Sequence, residues 1–222
     1  ASKDTLFATE FSHMKPSAKK IAILGGGRIA IEIAMILMGF NFEVHVYSRS
    51  LILNHLDQEV REKYLKDISN KLLHLHPFNL PIKIEKNKLY FKDKVKKFDN
   101  IILASGNYFN SDLAEKLNLE TNENGIIVNN YMQSSIPNVY AIGDVNMNNK
   151  FSNIASNEAV IAINHIRGFR MNYKNEFFYR ILGKLEYAYF GLSEQELIAK
   201  NITYKRFRSE ERRVGKECRS RW

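Results

Sequence analysis

Cysteine and tryptophan occur once each in the 222 residues, as Cys218 and Trp222, and both stand in the last fifteen positions. A lone thiol excludes an internal disulfide framework. No apolar run reaches the length that spans a bilayer, and the N-terminal ASKDTLFATEFSHMK lacks a secretory pattern. The expected location is therefore the cytoplasm, with no membrane partner. Histidine offers no obvious metal set: His74 and His76 flank Leu75 at strand spacing with no third ligand near them, so no metal site is expected. His45, on an apolar run, reads as a sheet residue, and Ser48 lacks the His and Asp company of a nucleophile.

Positive charge is abundant but not organised. The formal net charge is +9, and the terminal RSEERRVGKECRSRW holds six Arg/Lys against three Glu. Elsewhere lysines sit between acids, as in KIEKNKLYFKDKVKKFD, which reads as a solvated face and not a phosphate track. Nucleic acid is not an expected partner.

What the chain does have begins at KKIAIL, Lys19 to Leu24, an apolar run suited to a buried strand. GGGRIA follows, then the apolar IEIAMILMGF of a helix packed on a sheet, then FEVHVY, Phe42 to Tyr47, as the next strand. This strand–turn–helix–strand unit of about 30 residues has the length of a parallel crossover. Further along, Asp57 to Leu73 predicts an amphipathic helix and PIKIEKNKLYF a small hairpin about an Asn-Lys turn. FDNIILASG, NGIIVNN and NVYAIGD read as strands, Asn153 to Ile166 as a buried helix, and EYAYFGL as strand-like. Ser193 precedes a short helix as a natural N-cap, with Glu196 three residues on.

Gly25-Gly26-Gly27-Arg28-Ile29-Ala30 is a G-x-G-x-x-A fingerprint in the context that gives it meaning, after a strand and opening a helix. Gly25 permits the tight turn, Gly27 lets a pyrophosphate approach the backbone, and Ala30 allows close helix–strand packing. The phosphates would meet the free N–H groups at the helix start. After the second strand stand Ser48-Arg49-Ser50, with no carboxylate before Asp57. An acid there would bind a ribose 2′-OH; a hydroxyl and a guanidinium suit a 2′-phosphate, so NADP is favoured over NAD.

These residues, read with NVYAIGD downstream, resemble the pyridine nucleotide–disulfide oxidoreductase family, whose members include glutathione reductase, dihydrolipoamide dehydrogenase and mercuric reductase. GGGRIAIEIAMIL is similar to the family's nicotinamide-nucleotide turn and helix. FDNIILASGNYFNSDLAEKLNLETNENGIIVNNYMQSSIPNVYAIGDV resembles the segment returning to the flavin domain, and RILGKLEYAYFGLSEQELIAKNITYK the opening of the interface domain.

The resemblance implies an α/β fold: a Rossmann-like NAD(P)-binding domain over 1–105, part of an FAD-binding domain over 106–168, and the start of an α+β dimerisation domain over 169–207. It also implies FAD as a second cofactor, a small-molecule or protein-bound disulfide as substrate, and a homodimer. Asp144, after Gly143, would accept a hydrogen bond from the FAD ribityl chain. Backbone groups around Asn153, Ile154 and Ala155 would lie near the flavin, and Glu32 and Arg28 would flank the nicotinamide.

The family's A-x-G-R-x-P-N appears as Ala104-Ser105-Gly106-Asn107-Tyr108-Phe109-Asn110, without the arginine or the proline. The family's first glycine fingerprint, its C-x4-C pair and its late His-Glu pair are absent from the sequence, which reads as a fragment of a longer enzyme. Alternatives are an NAD(P)H oxidase or flavin reductase without the redox disulfide, and an inert nucleotide-binding module. Residues 208–222 resemble a translated sequencing adapter, so Cys218 is not expected to act as a redox thiol.

Overall fold

The computed structural model describes residues 5–13, 17–106, 110, 112–123, 125–146, 151–171, 178–183 and 186–207. In chain order come β1 (Thr5–Phe7), a 3-10 turn (Ala8–His13), β2 (Lys20–Leu24), α1 (Arg28–Gly39), β3 (Glu43–Tyr47), α2 (Gln58–Ile68) and β4 (Leu73–His76). There follow β5 (Lys83–Glu85), β6 (Lys88–Tyr90), β7 (Val95–Lys97), β8 (Asn100–Leu103), α3 (Asp112–Lys116), β9 (Thr121–Asn122) and β10 (Gly125–Ile126). The last elements are a 3-10 turn (Gly143–Val145), α4 (Ser152–Ile166), β11 (Phe178–Ile181), β12 (Tyr187–Phe190) and α5 (Glu194–Ala199). The chain divides into two compact units, Ala1–Gly191 and Leu192–Trp222.

The first unit is built on a parallel sheet of order β1-β8-β2-β3-β4. Its central strands β2, β3 and β8 are largely buried on both faces, which is why β2 and β8 read as nearly continuous apolar runs. On one face Ile21, Ile23, Val44, Val46 and Ile102 pack against Ala30, Ile31, Ala34 and Leu37 of α1 and against Tyr64 and Ile68 of α2. On the other, Ala22, Leu24, Tyr47 and Ile101 pack with Leu89, Phe91 and Phe98, carried by or beside an antiparallel sheet of order β5-β6-β7. Ile21 and Ile23 are fully buried, each contributing roughly 1.5–3 kcal/mol of transfer free energy.

From the central β2, the chain winds to β3 and β4 on one side and returns through β8 on the other. That reversal opens a crevice at the carboxyl ends of the strands, where open α/β sheets bind ligands. α1 carries several β-branched isoleucines of modest helix propensity, so sheet packing and not intrinsic preference holds it. It ends where Asn41 takes a positive φ of 63° and donates its N–H to the carbonyl of Met38.

Several elements differ from the sequence reading. The polar lead-in contains β1, which exists by parallel pairing with β8. The hairpin turns at Lys86-Asn87, both at positive φ, one residue before the expected Asn-Lys pair, and it continues into a third strand, β7. NVYAIGD contributes only an isolated bridge, Gln133 to Tyr140. In the second unit the expected cap is present: Ser193 Oγ accepts the N–H of Glu196 at 3.3 Å, and Glu196 Oε2 accepts that of Ser193 at 2.8 Å. Among the described residues no helix is long and apolar enough to cross a membrane. Residues 208–222, with Cys218 and Trp222, lie outside the described residues.

Asp99 joins the starts of the two central strands. Its Oδ2 accepts the N–H groups of Lys19 and Lys20, each at 2.8 Å. Those two backbone bonds, with nearby Lys97 and Lys19, hold its carboxyl below the usual aspartate range. A lowered carboxyl pKa stabilises the fold above its ordinary value of 3.8, and the contribution is lost as pH falls through the lower folded value. Asp99→Ala is expected to cost about 1 kcal/mol in urea unfolding at pH 7, water screening keeping the figure small. The difference from wild type should vanish at the acid end of a pH series.

Candidate functional site

The glycine turn joins the ends of three strands. Gly25 donates its N–H to the Tyr47 carbonyl at the end of β3, at 2.8 Å. Its φ is +146°, and a Cβ there would stand 2.1 Å from the Ala104 carbonyl oxygen beyond β8. Gly25 is thus demanded by the fold itself. Gly26 lies against Ser48, whose Cβ is 2.8 Å from where a Gly26 Cβ would be. Its carbonyl accepts the N–H of Leu53 at 2.7 Å.

Gly27 is different. It is the N-cap of α1, in extended conformation, with no side-chain capping bond, and a Cβ there would meet nothing within 4 Å. Nothing among the described residues requires this glycine. The helix start therefore offers unpaired N–H groups beside open space, a cradle that a side chain would fill and a phosphate fits. Ala30, one turn in, is fully buried, and Ile29 packs at the edge of the same core.

Ser48, Arg49 and Ser50 follow β3 directly. The Ser48 hydroxyl is buried and donates to the Ser50 carbonyl, so it shapes the turn and does not project outward. Ser50 Oγ reaches the Leu51 carbonyl at 3.4 Å. Arg49 is exposed and makes no hydrogen bond or ion pair with a described residue. Ala104 is anchored by its N–H to the Leu24 carbonyl at 2.8 Å, and Gly106 follows at φ +124°. Asn107, Tyr108 and Phe109 lie outside the described residues.

A second group forms around the Gly143–Val145 turn and the start of α4. Gly143 has φ +73°, and a Cβ on it would come 3.3 Å from that of Ala155. Asp144 is exposed, as is Asn153, while Ile154 is buried. The turn is held from beneath by Glu158, whose Oε2 accepts the Gly143 N–H at 2.6 Å and the Asn146 amide at 3.0 Å. Glu158 is fully buried and its Oε1 has no hydrogen-bond partner among the described residues.

Arg28 connects the two groups. Its guanidinium lies 5.0 Å from the ring centre of Phe151, the residue that caps α4, and its Nη1 pairs with Glu32 Oε2 at 2.8 Å. Glu32 Oε1 in turn accepts the N–H of Leu182 at 2.8 Å, so the carboxylate expected at the nicotinamide is tied to the β11–β12 hairpin. Tyr179 of that hairpin is buried beside His55 and Phe151, at ring-centre distances of 4.5 and 5.8 Å.

Sequence reasoning missed Glu158, although it stands on the buried stripe Ile154, Glu158, Ile161, Ala162 at helical spacing, where a lone acid is a visible signal. Sequence reasoning also saw no third ligand near His74, and the neighbours it lacked lie on an adjacent strand. Parallel pairing of β3 with β4 sets His45 opposite His74, and Glu43 lies within reach of both.

Residues 2–163 match the family model described as "Pyridine nucleotide-disulphide oxidoreductase". The chain is 33% identical over 207 residues to a dihydrolipoyl dehydrogenase of Buchnera aphidicola, covering 84% of this chain and 42% of that one. It is 30% identical over 162 residues to a dihydrolipoyl dehydrogenase of Acholeplasma laidlawii, covering 71% and 48%. Among solved structures it resembles the HOCl-induced flavoprotein disulfide reductase RclA from Escherichia coli, with a TM-score of 0.80 at 18% identity, covering 90% of this chain and 48% of that one. The chain thus spans less than half the length of these relatives.

The two turn glycines should separate experimentally. Gly25→Ala is expected to destabilise the protein by about 3 kcal/mol or prevent folding, because the obstructing atom is backbone. Gly27→Ala should cost under about 1 kcal/mol in urea unfolding yet weaken NADPH binding roughly tenfold in calorimetry. Equal losses of stability in both variants would remove the ligand reading of Gly27.

Proposed function

The chain belongs to the pyridine nucleotide–disulphide oxidoreductase family, and from that premise we propose that it supplies the nicotinamide site and part of the flavin site of an FAD-dependent NADPH:disulfide oxidoreductase. The observation that carries the reading is the open cradle at Gly27, on an uncapped helix start, together with the exposed Arg49 after β3, which pairs with no described residue. In this reading the pyrophosphate lies on the N–H groups of the first turn of α1. Arg49 takes the 2′-phosphate as a planar, permanently charged donor. Gly26, Ile29 and Ala30 shape the floor, Ser48 and Ser50 the adenosine edge, and Ala104 and Gly106 the opposite wall. The nicotinamide and flavin supply the hydride chemistry when bound. The residues of this chain orient and shield them, Arg28 and Glu32 at the nicotinamide end, Asp144 and the Asn153–Ala155 backbone at the flavin.

The same reading divides the chain at about 105 and 168, just after the sheet strand β8 and after α4 respectively. It makes the chain a fragment of a homodimeric cytoplasmic enzyme acting on a small or protein-bound disulfide. Val160, Ile163 and Ile166 leave an apolar side of α4 exposed, as expected of a flavin-domain helix that packs on segments beyond this chain.

Calorimetric titration should show NADPH binding more tightly than NADH. Arg49→Ala should weaken NADPH about tenfold and leave NADH nearly unchanged, the loss of one exposed charge-assisted contact. An NADH preference, or an Arg49→Ala effect equal on both, overturns the assignment. The product of the complete reading frame is expected to be yellow and bleached faster by NADPH than by NADH; a colourless product refutes the flavin part.

A further inference from the structure

On the sheet face turned away from α1, side chains from β3 and β4 form a cluster that the nucleotide site does not use. The register sets His45 opposite His74 and Tyr47 opposite His76, and Glu43 shares their side of β3. Parallel strands lie about 4.8 Å apart, so neighbours on one face converge. His45 Nε2 lies 2.7 Å from Glu43 Oε1, His74 Nε2 lies 3.8 Å from the same oxygen, and His45 Nδ1 lies 3.0 Å from His76 Nε2.

We propose that Glu43, His45 and His74 bind one Zn2+ ion, with His76 as the hydrogen-bonded support of His45. The three donor atoms all lie within 4.8 Å of one another. Tetrahedral zinc with bonds of about 2.0–2.2 Å needs donors about 3.3 Å apart, a value bracketed by the two distances to Glu43. Two imidazoles and a carboxylate are a donor set that zinc accepts, leaving its fourth position to water.

A metal takes imidazole in its neutral form. With His45 and His76 neutral, the hydrogen bonds order the tautomers. His45 Nε2–H donates to Glu43, so its Nδ1 accepts from His76 Nε2–H. Zinc on His45 Nε2 reverses this chain. The His45 proton moves to Nδ1 and donates to His76 Nε2, whose own proton moves to Nδ1. No net proton is gained or lost, and the ligating ring keeps an outer hydrogen bond of the kind that orients metal-bound histidines.

Two features oppose the ion as the side chains now stand. Lys20 Nζ lies 3.0 Å from Glu43 Oε1, and the His45 and His74 rings stack at 4.4 Å, nearly parallel. Both movable partners have room: the side chains of Lys20 and His74 are each 41% exposed, so the lysine can turn to water and the imidazole toward the ion.

Titration of the full chain with Zn2+, followed by calorimetry, should give one site, and Co2+ in its place should develop visible absorption of a tetrahedral centre. His74→Ala and Glu43→Gln should each weaken binding at least tenfold. Lys20→Ala should tighten it, a gain that misfolding cannot produce. Nitrogen-15 spectra of the imidazoles should show the His45 proton transfer from Nε2 to Nδ1 on adding Zn2+. Absence of stoichiometric binding overturns the proposal, as does binding that survives both His74→Ala and Glu43→Gln, or a His45 tautomer indifferent to the ion.

Discussion

The turn at Gly25 rests on a contact so close that no side chain fits, with the Ala104 carbonyl oxygen occupying the space a Cβ would need. The same residue donates its N–H to Tyr47, so one glycine holds the carboxyl ends of β2, β3 and β8 together. Without that approach the strands would splay where the sheet reverses direction, and the crevice that the reversal creates would lose its floor. The helix start at Gly27 is left open because Gly25 absorbs the steric constraint of the turn. The steric demand of the turn and the open helix start are therefore carried by different glycines two positions apart.

The turn at Gly143–Val145 follows a related logic, with a buried acidic side chain in place of a close backbone contact. Glu158 presents one oxygen to the Gly143 amide and to Asn146, fixing a turn whose next residue, Asp144, faces solvent. A buried carboxylate with a bare Oε1 is a costly way to hold a loop, and its neighbours on α4 are apolar. Such an expense makes sense where the position of a turn matters more than its stability. Arg28, over Phe151, then brings this turn and the glycine turn into one neighbourhood.

Local pattern carried the legible part of the fold. β2, the glycine turn, α1 and β3 are contiguous, and each announces itself through apolar runs or glycines; the Ser193 cap lies within one helical turn. What escaped was set by distant partners. β1 is three residues long and holds through β8, nearly a hundred positions later. The residues after Tyr140 have strand-like composition but lack a full ladder to join, so they turn instead. The histidine cluster was illegible because it depends on the register of two parallel strands, and a slip of one residue would turn His74 and His76 to the other face.

The bond between Leu182 N–H and Glu32 has a thermodynamic corollary. A ligand group that claims Glu32 Oε1 must first displace an amide, a contact with a charged acceptor of about 1.5–3 kcal/mol. Linkage makes that relation reciprocal: whatever affinity the docked hairpin subtracts from the ligand, the ligand subtracts from the docking of the hairpin. A single carboxylate thus acts as a shared currency between a helix that begins at the glycine turn and a hairpin 150 residues further along the chain.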